Sequence, residues 1–387
     1  MKYSLSDICD YAKGKIDVAL LDEDTYISTE NMMPNKGGIT RASSLPTVAQ
    51  TQSFFAGDVL VSNIRPYFKK IWFAEYDGGC SNDVLVFRAK DGVSKRFLYY
   101  VLADDTFFDY SMATSKGTKM PRGDKAAIMK YEVPDFTYEE QEKIAGILEV
   151  LDRKIQLNTE INENLLQQAQ AMYKSWFIDY EPFDGVRPAN WIIGTIDDLA
   201  KEVVCGKTPS TKVKKYYGSD VPFITIPDMH GNTYAVTTER YLSNYGAASQ
   251  AKKTLPPNSI CVSCIGTAGL VTFVASESQT NQQINSIIPK DEYSPFYIFL
   301  LMQTLSEVIN KLGQSGSTIV NLNKAQFGKI KVTVPSVPDM KAFDETVAPL
   351  FALILANQKE NIHLSSVRET LLPRLMSGEL DVSDLDL

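Results

Sequence analysis

Residues 138–183 read YEEQEKIAGILEVLDRKIQLNTEINENLLQQAQAMYKSWFIDYEPF. Within this stretch Ile144, Leu148, Leu151, Ile155, Asn158, Asn162, Leu165, Ala169, Met172 and Trp176 recur at alternating spacings of four and three. That is the a/d seam of a coiled coil, narrower than the stripe of a globular surface helix. Glu, Gln, Lys and Asn fill the intervening positions, and the first proline is Pro182. Some 40 helical residues at about 1.5 Å each predict a rod on the order of 60 Å long. Such a seam needs a partner.

The partner lies further along the chain. A shift of 199 positions carries the seam onto Phe343, Val347, Leu350, Ile354, Asn357, Asn361, Leu364, Arg368, Leu371 and Leu375. Each lands on an apolar residue or the same residue type, except that Ala169 lands on Arg368. The correspondence continues outside the helix. Phe97 maps to Phe296, Leu102 to Leu301, and Gly117–Lys125 (GTKMPRGDK) to Gly316–Lys324 (GSTIVNLNK). Nearer the N-terminus the offset grows to 200 (Val84 to Ile284, Lys90 to Lys290) and then 201 (Leu60 to Cys261). An internal repeat of this size governs the organisation. It divides the chain into a globular domain (1–137), a long helix (138–187), a second globular domain (188–337) and a second long helix (338–387).

The bulk properties fit a soluble globular chain. It has 387 residues, 44% hydrophobic and 22% charged, enough for two or three domains. No apolar run approaches the ~18 residues of a membrane span, and the first residues lack a secretory apolar core. Five scattered cysteines (Cys9, Cys80, Cys205, Cys261, Cys264) argue against a disulfide framework and fit the reducing cytoplasm. The two histidines, His230 and His363, supply no metal cluster. Net charge is −8 overall, but −1, −5, +3 and −5 over the four successive segments. The helices hold the acidity, so the whole-chain balance says little about whether the globular domains meet phosphate.

Each copy reads as α+β. In the first, Leu5–Lys15 suggests a short helix and Asp22–Met32 a strand with a turn. Strands follow at Val59, Ile71–Glu75 and Val84–Arg88. Arg96–Ala113 reads as one buried aromatic-rich helix, 115–125 as a basic loop and Glu132–Pro134 as a last strand. The second copy starts near Trp191 and has a longer entry, Gly206-Lys207-Thr208-Pro209-Ser210, before the expected strand VPFITIPDM (221–229).

Six segments together resemble the DNA-specificity subunit of type I restriction–modification systems. They are Tyr26–Gly38 (YISTENMMPNKGG), Ser175–Gly185 (SWFIDYEPFDG), Gly206–Met229, Cys264–Pro289, Gly316–Pro335 and Leu371–Val382 (LLPRLMSGELDV). The resemblance spans essentially the whole chain. It implies two target recognition domains, each reading one half of a bipartite site in double-stranded DNA. The two long helices would pair antiparallel as an intramolecular coiled coil, giving a pseudo-twofold tandem repeat that spaces the domains. Two methyltransferase (modification) subunits would dock on the helices, and restriction/translocase subunits would join. S-adenosylmethionine, ATP and magnesium would belong to those partners, leaving this chain without a cofactor or catalytic role. A methylation-only or phase-variable relative without a restriction partner is the alternative setting.

The residues agree with such a role. N-P-P-[YF], the Walker lysine loop and G-x-G-x-x-G are all missing from the sequence, so the usual catalytic and nucleotide-binding signatures are not there. What recurs is basic, amide and hydroxyl side chains beside glycine. In the first copy these are Arg65, Lys69, Lys70, Lys116, Thr118, Lys119, Arg122 and Lys125. In the second they are Lys207, Thr208, Ser210, Lys212, Lys214 and Lys215, with Asn281, Gln282, Gln283, Ser317, Thr318, Asn321, Asn323 and Lys324. Lysine and arginine position a phosphate backbone, whereas Asn, Gln and Arg can pair with base edges. Taken singly, each is better explained as a solvated loop residue; it is the recurrence of the loops in both copies that points to DNA.

Other features have structural readings. Cys261-Val-Ser-Cys264 has no second pair or nearby histidine, so two strand cysteines are expected rather than zinc ligands. Trp176 and Phe177 are expected to anchor packing. Seam asparagines fix register. Placing Asn158 and Asn162 against Asn361 and Asn357 makes paired residue numbers sum to 519. That register opposes Arg368 to Leu151, with the guanidinium expected to reach solvent.

Overall fold

The computed structural model describes residues 3–313 and 321–382. Two 40-residue helices, Tyr138–Phe177 and Val337–Met376, dominate the element order. The first begins on a reciprocal cap. Thr137 donates its N–H and hydroxyl to Glu140 Oε2 at 2.7 and 2.8 Å, and the Glu140 N–H returns to Thr137 Oγ1. This satisfies amide groups that the first helical turn leaves without partners.

By contacts the chain forms two units, Met1–Ile155 with His363–Leu387, and Gln156–Ile362. Each unit therefore combines one globular domain with a piece of both long helices. In unit 1, Ile144 and Leu148 share a core with Leu372, Leu375 and Met376. In unit 2, Ala169, Tyr173 and Phe177 pack with Phe343, Val347, Phe351 and Ile354. The start of one helix thus lies beside the end of the other in unit 1, and the reverse holds in unit 2: the segments run antiparallel. No seam position on either helix is exposed.

The asparagines meet in unit 2. Asn158 Nδ2 donates to Asn361 Oδ1 at 2.9 Å, and Asn357 Nδ2 to Asn162 Oδ1 at 2.9 Å. Trp176 and Phe343 rings lie 5.8 Å apart. All three pairs fit the register that sums to 519. In unit 1 the arginine departs from expectation. Rather than extending to solvent, the Arg368 guanidinium binds Asp152 Oδ1, and Asp152 Oδ2 also accepts the Tyr100 hydroxyl at 2.8 Å. The hydrocarbon surroundings that half-bury Arg368 make an ion pair with the next residue round the helix preferable to unpaired burial.

Both domains are built on one plan. Unit 1 has an antiparallel sheet in the order Cys9–Tyr11, Val84–Ala89, Val59–Ser62, Ile71–Phe73. Unit 2 repeats it as Ala200–Cys205, Ile284–Pro289, Ile260–Ser263, Val271–Val274, and adds Tyr234–Ala235. A second sheet holds a short parallel pair in each, Tyr26–Ile27 with Gly78–Cys80 and Phe223–Ile224 with Gln279–Thr280. Small features recur with them. Lys90 Nζ donates to Ser6 O and Lys290 Nζ to Asp198 O, while Ser94 and Ser294 both cap the following helix. The fold is α+β, two similar globular domains with two long helices.

Three expected elements are shorter than the sequence suggested. The helix at Leu5 ends after Ile8, because Cys9–Tyr11 leaves it to pair with Phe87–Ala89. The aromatic helix breaks in two, Lys95–Ala103 and Asp105–Ala113. Asp104 is extended there and caps Thr106 N at 2.8 Å, a local bond that competes with helix continuation. The strand before Met229 stops at Ile224, since Thr225 and Asp228 close a capping box over Ile226–Met229.

Candidate nucleic-acid interface

The polar loops gather around a backbone frame that occurs once in each domain. In unit 1, Ile64 bridges Arg122, Asn63 N–H donates to Asp83 O at 2.8 Å, and Gly123 N–H donates to Asn63 O. In unit 2, Ile265 bridges Asn321, Cys264 N–H donates to Gln283 O at 2.8 Å, and Leu322 N–H donates to Cys264 O at 3.0 Å. The same three loops therefore converge in both: the one after the strand at Val59 or Ile260, the one before the strand at Val84 or Ile284, and the one after the second domain helix.

In unit 1 most of the expected cations already hold a protein partner. Lys69 Nζ lies 2.8 Å from Asp105, which also binds Lys36 at 2.8 Å. Burial pushes the Asp105 carboxyl up, but the two lysine hydrogen bonds outweigh it and hold the carboxyl below its usual range. Lys116 pairs with Asp124 at 2.5 Å and Arg122 with Asp83 at 3.1 Å. Lys70 donates to Thr29 O at 2.6 Å, and burial lowers its ammonium pKa. Lys125 stands over the Tyr11 ring at 5.8 Å. Thr118 and Lys119 project from the exposed end of the 116–122 turn. Arg65 sits at the foot of a neighbouring turn with its Nε buried and unbonded.

Unit 2 distributes its charge differently. Lys207 N–H donates to Thr280 O at 2.9 Å, and Thr208 Oγ1 donates to Gln282 Oε1 at 2.6 Å, which ties the Gly206 loop to the 280–283 loop. Gly206 is required there, because a Cβ would come within 2.0 Å of Asn281 O. Among the described residues, Lys207, Lys212, Lys214 and Lys324 are exposed and lie beside no carboxylate. Lys215 stacks its ammonium 4.3 Å from the Tyr245 ring. Ser210 and Gln282 are also exposed.

Three expected contact residues serve the fold. Asn281 is buried and exchanges hydrogen bonds with Gln283. Gln283 Nε2 in turn faces Ile265 O at 3.4 Å. Asn323 caps the helix Lys324–Gly328 through Gln326 N. Asn321 supplies the bridge to Ile265 and is exposed. Ser317 and Thr318 fall outside the described residues.

Tyr245, Lys252 and Lys253 were not among the residues singled out from the sequence. Gln250, between them, donates to Lys207 O at 2.9 Å and brings this segment to the Gly206 loop. The adjacent Lys252-Lys253 pair was the available signal, but it lies outside the repeat's matched loops. Cys261 and Cys264 are buried, and desolvation pushes their thiols up to about 12 and about 11. Among the described residues no group of three His, Cys, Asp or Glu side chains could hold a metal ion, and no helix is long and apolar enough to cross a membrane.

Comparison with known proteins adds identity to this geometry. A family model described as the type I restriction modification DNA specificity domain matches residues 1–167 and again 188–364. The chain is 32% identical to the type I restriction enzyme HindI specificity subunit of Haemophilus influenzae, over 98% of this chain and 99% of that protein. It is 26% identical to the type I restriction enzyme MjaIX specificity subunit of Methanocaldococcus jannaschii, over 76% and 71% of the two chains. In fold it matches the type I restriction–modification S subunit from M. genitalium, with a TM-score of 0.61 at 17% identity over 97% and 96% of the chains. The chain belongs to the type I restriction–modification DNA specificity family, with two copies of the family's domain in tandem.

Proposed function

We propose that this chain is the DNA-recognition subunit of a type I restriction–modification complex, and that each globular domain reads one half of a two-part duplex target. The observation that carries this reading is the repeated frame. Ile64–Arg122 and Ile265–Asn321 hold the same three loops together in both domains while the side chains on those loops differ. A common frame with different polar surfaces suits two similar modules that read different sequences. The domains correspond to residues 1–137 and 188–337, and the long helices act as spacer and as docking surface for two methyltransferase subunits. Restriction/translocase subunits join the same assembly, in the cytoplasm, unless the system is methylation-only. The chemistry then resides in the partners, which bind S-adenosylmethionine, ATP and magnesium. This chain contributes position and sequence choice.

The test is a domain exchange. Residues 188–337 are replaced by the second domain of another family member, and modified adenines are mapped in cells that also express the methyltransferase subunit. One half of the methylated motif should change while the other half stays. If both halves change together, or if the purified chain alone methylates DNA, the reading is wrong.

A further inference from the structure

The turn at residues 65–70 of unit 1 is held more firmly than a solvated loop requires. Arg65 and Lys69, at its two ends, both adopt left-handed backbone conformations, each with φ 50°. Non-glycine residues in that region persist where surrounding contacts enforce them, often at functional sites. The contacts are present. Arg65 N–H donates to Pro121 O, Asn35 N–H to Phe68 O and Lys36 N–H to Lys69 O, each at 2.8 Å. Two separate segments, at 35–36 and at 121, thus fix one turn, and Tyr67 and Phe68 are exposed on it.

The cations around the turn differ in one respect. Lys69, Lys116 and Arg122 each face a carboxylate, and Lys70 faces a carbonyl. Arg65 alone of these has no acceptor among the described residues. Its Nε is buried and unbonded while the residue as a whole is only half-buried. The side chain therefore has a packed stem and a guanidinium fork with its donor capacity intact. Phosphate contacts tolerate a mobile ammonium. The paired acceptors of a guanine are matched by a planar donor pair aimed in a fixed direction.

We propose that Arg65 is a base-reading residue of the first domain, and that its fork pairs with the O6 and N7 acceptors of a guanine in the major groove. The turn enters the groove, and its pinned backbone sets the depth and angle of the fork. Lys119 and the paired cations beside it then serve the phosphates. This inference rests on the recognition role proposed above and assigns one base within it.

The full chain, assembled with a type I methyltransferase subunit, is used to select bound duplexes from a random library. The wild type should yield a two-part motif. R65A should yield the same motif with one G·C position relaxed, losing about tenfold or more in discrimination there, and the other half should be intact. R65K keeps an aliphatic stem and a charge but lacks the fork, so it should show the same relaxation; it also decides the matter if R65A folds poorly. An unchanged motif in both variants overturns the assignment. So does uniform weakening on all duplexes with a shallower salt dependence, which marks a phosphate contact. A wild type that selects no motif overturns the recognition role itself.

Discussion

Asn158 donates its side-chain amide to both Asn361 Oδ1, at 2.9 Å, and Glu360 Oε2, at 2.7 Å. Both amide hydrogens are used in a site where Asn158 is 1% exposed. A slip of one heptad would place Asn158 against Ile354 or Arg368 and Asn162 against Leu350 or Leu364, and would break both amide pairs. The network thus selects one alignment out of several that the apolar positions alone would tolerate.

N158L should accordingly destabilise unit 2 by about 1–3 kcal/mol, the usual penalty for orphaning buried polar partners. N158L/N361L should recover part of that loss, because removing both sides of a buried polar contact leaves less unsatisfied. Denaturant midpoints of the two variants check this. Equal stability of N158L and wild type would show that the asparagines do not set the alignment.

Asp152 serves two donors, the Arg368 guanidinium and the Tyr100 hydroxyl. Burial works against the Arg368 charge, and Asp152 more than offsets it, so the guanidinium pKa is raised. D152N should cost about 1–3 kcal/mol in unit 1, less than a fully enclosed pair because both partners retain some solvent. D152N/R368M should be closer to wild type than D152N alone. Thermal unfolding of the three variants measures the coupling.

Thiol labelling should separate one cysteine from four. Cys9, Cys80, Cys261 and Cys264 are buried, and only Cys205 is partly accessible. Desolvation raises Cys9 and Cys80 to about 12 as well, which keeps them protonated near neutral pH. Thiolates are the reactive species. Native protein at pH 8 should therefore label fast at one site, and C205S should remove that fast phase. Unfolded wild type should label at all five. Fast native labelling of C205S would contradict the buried placement of the other four.

Salt dependence tests the lysines. Lys214 is exposed and has no carboxylate beside it among the described residues, and Lys119 likewise stands on an exposed turn. Each phosphate contact removed should lower the slope of log affinity against log salt by about 1. K214A and K119A should show that change together with weaker binding on all sequences. An unaltered slope removes the residue from the contact set.

The long helices were legible because their signal is periodic and repeated: a seam of ten positions, found twice, identifies both elements, and its asparagines give their register. The local breaks were not. Asp104 could have sat on the surface of a continuous helix, and only its cap on Thr106 N shows that the chain turns there. Arg368 was misjudged for a related reason. Helical position gave its neighbour across the seam, Leu151, but not that Asp152 would turn inward to meet it. Among the loop residues, sequence identified the segments that converge and not their duties. Asn281 and Asn323 have the chemistry of base readers, yet their amides close loops and cap a helix.

The frame around Ile64 and Ile265 is tied almost wholly through main-chain N–H and C=O groups. Such ties are indifferent to the side chains strung between them. The loop after Gly206 can carry Lys207, Lys212, Lys214 and Lys215 while the loops of the first domain carry other side chains, and the sheets beneath remain alike. Each domain thus behaves as a socket that accepts different inserts. Changes of preference can then accumulate on the inserts with little demand on the folding of the socket, and one domain can drift without waiting for the other.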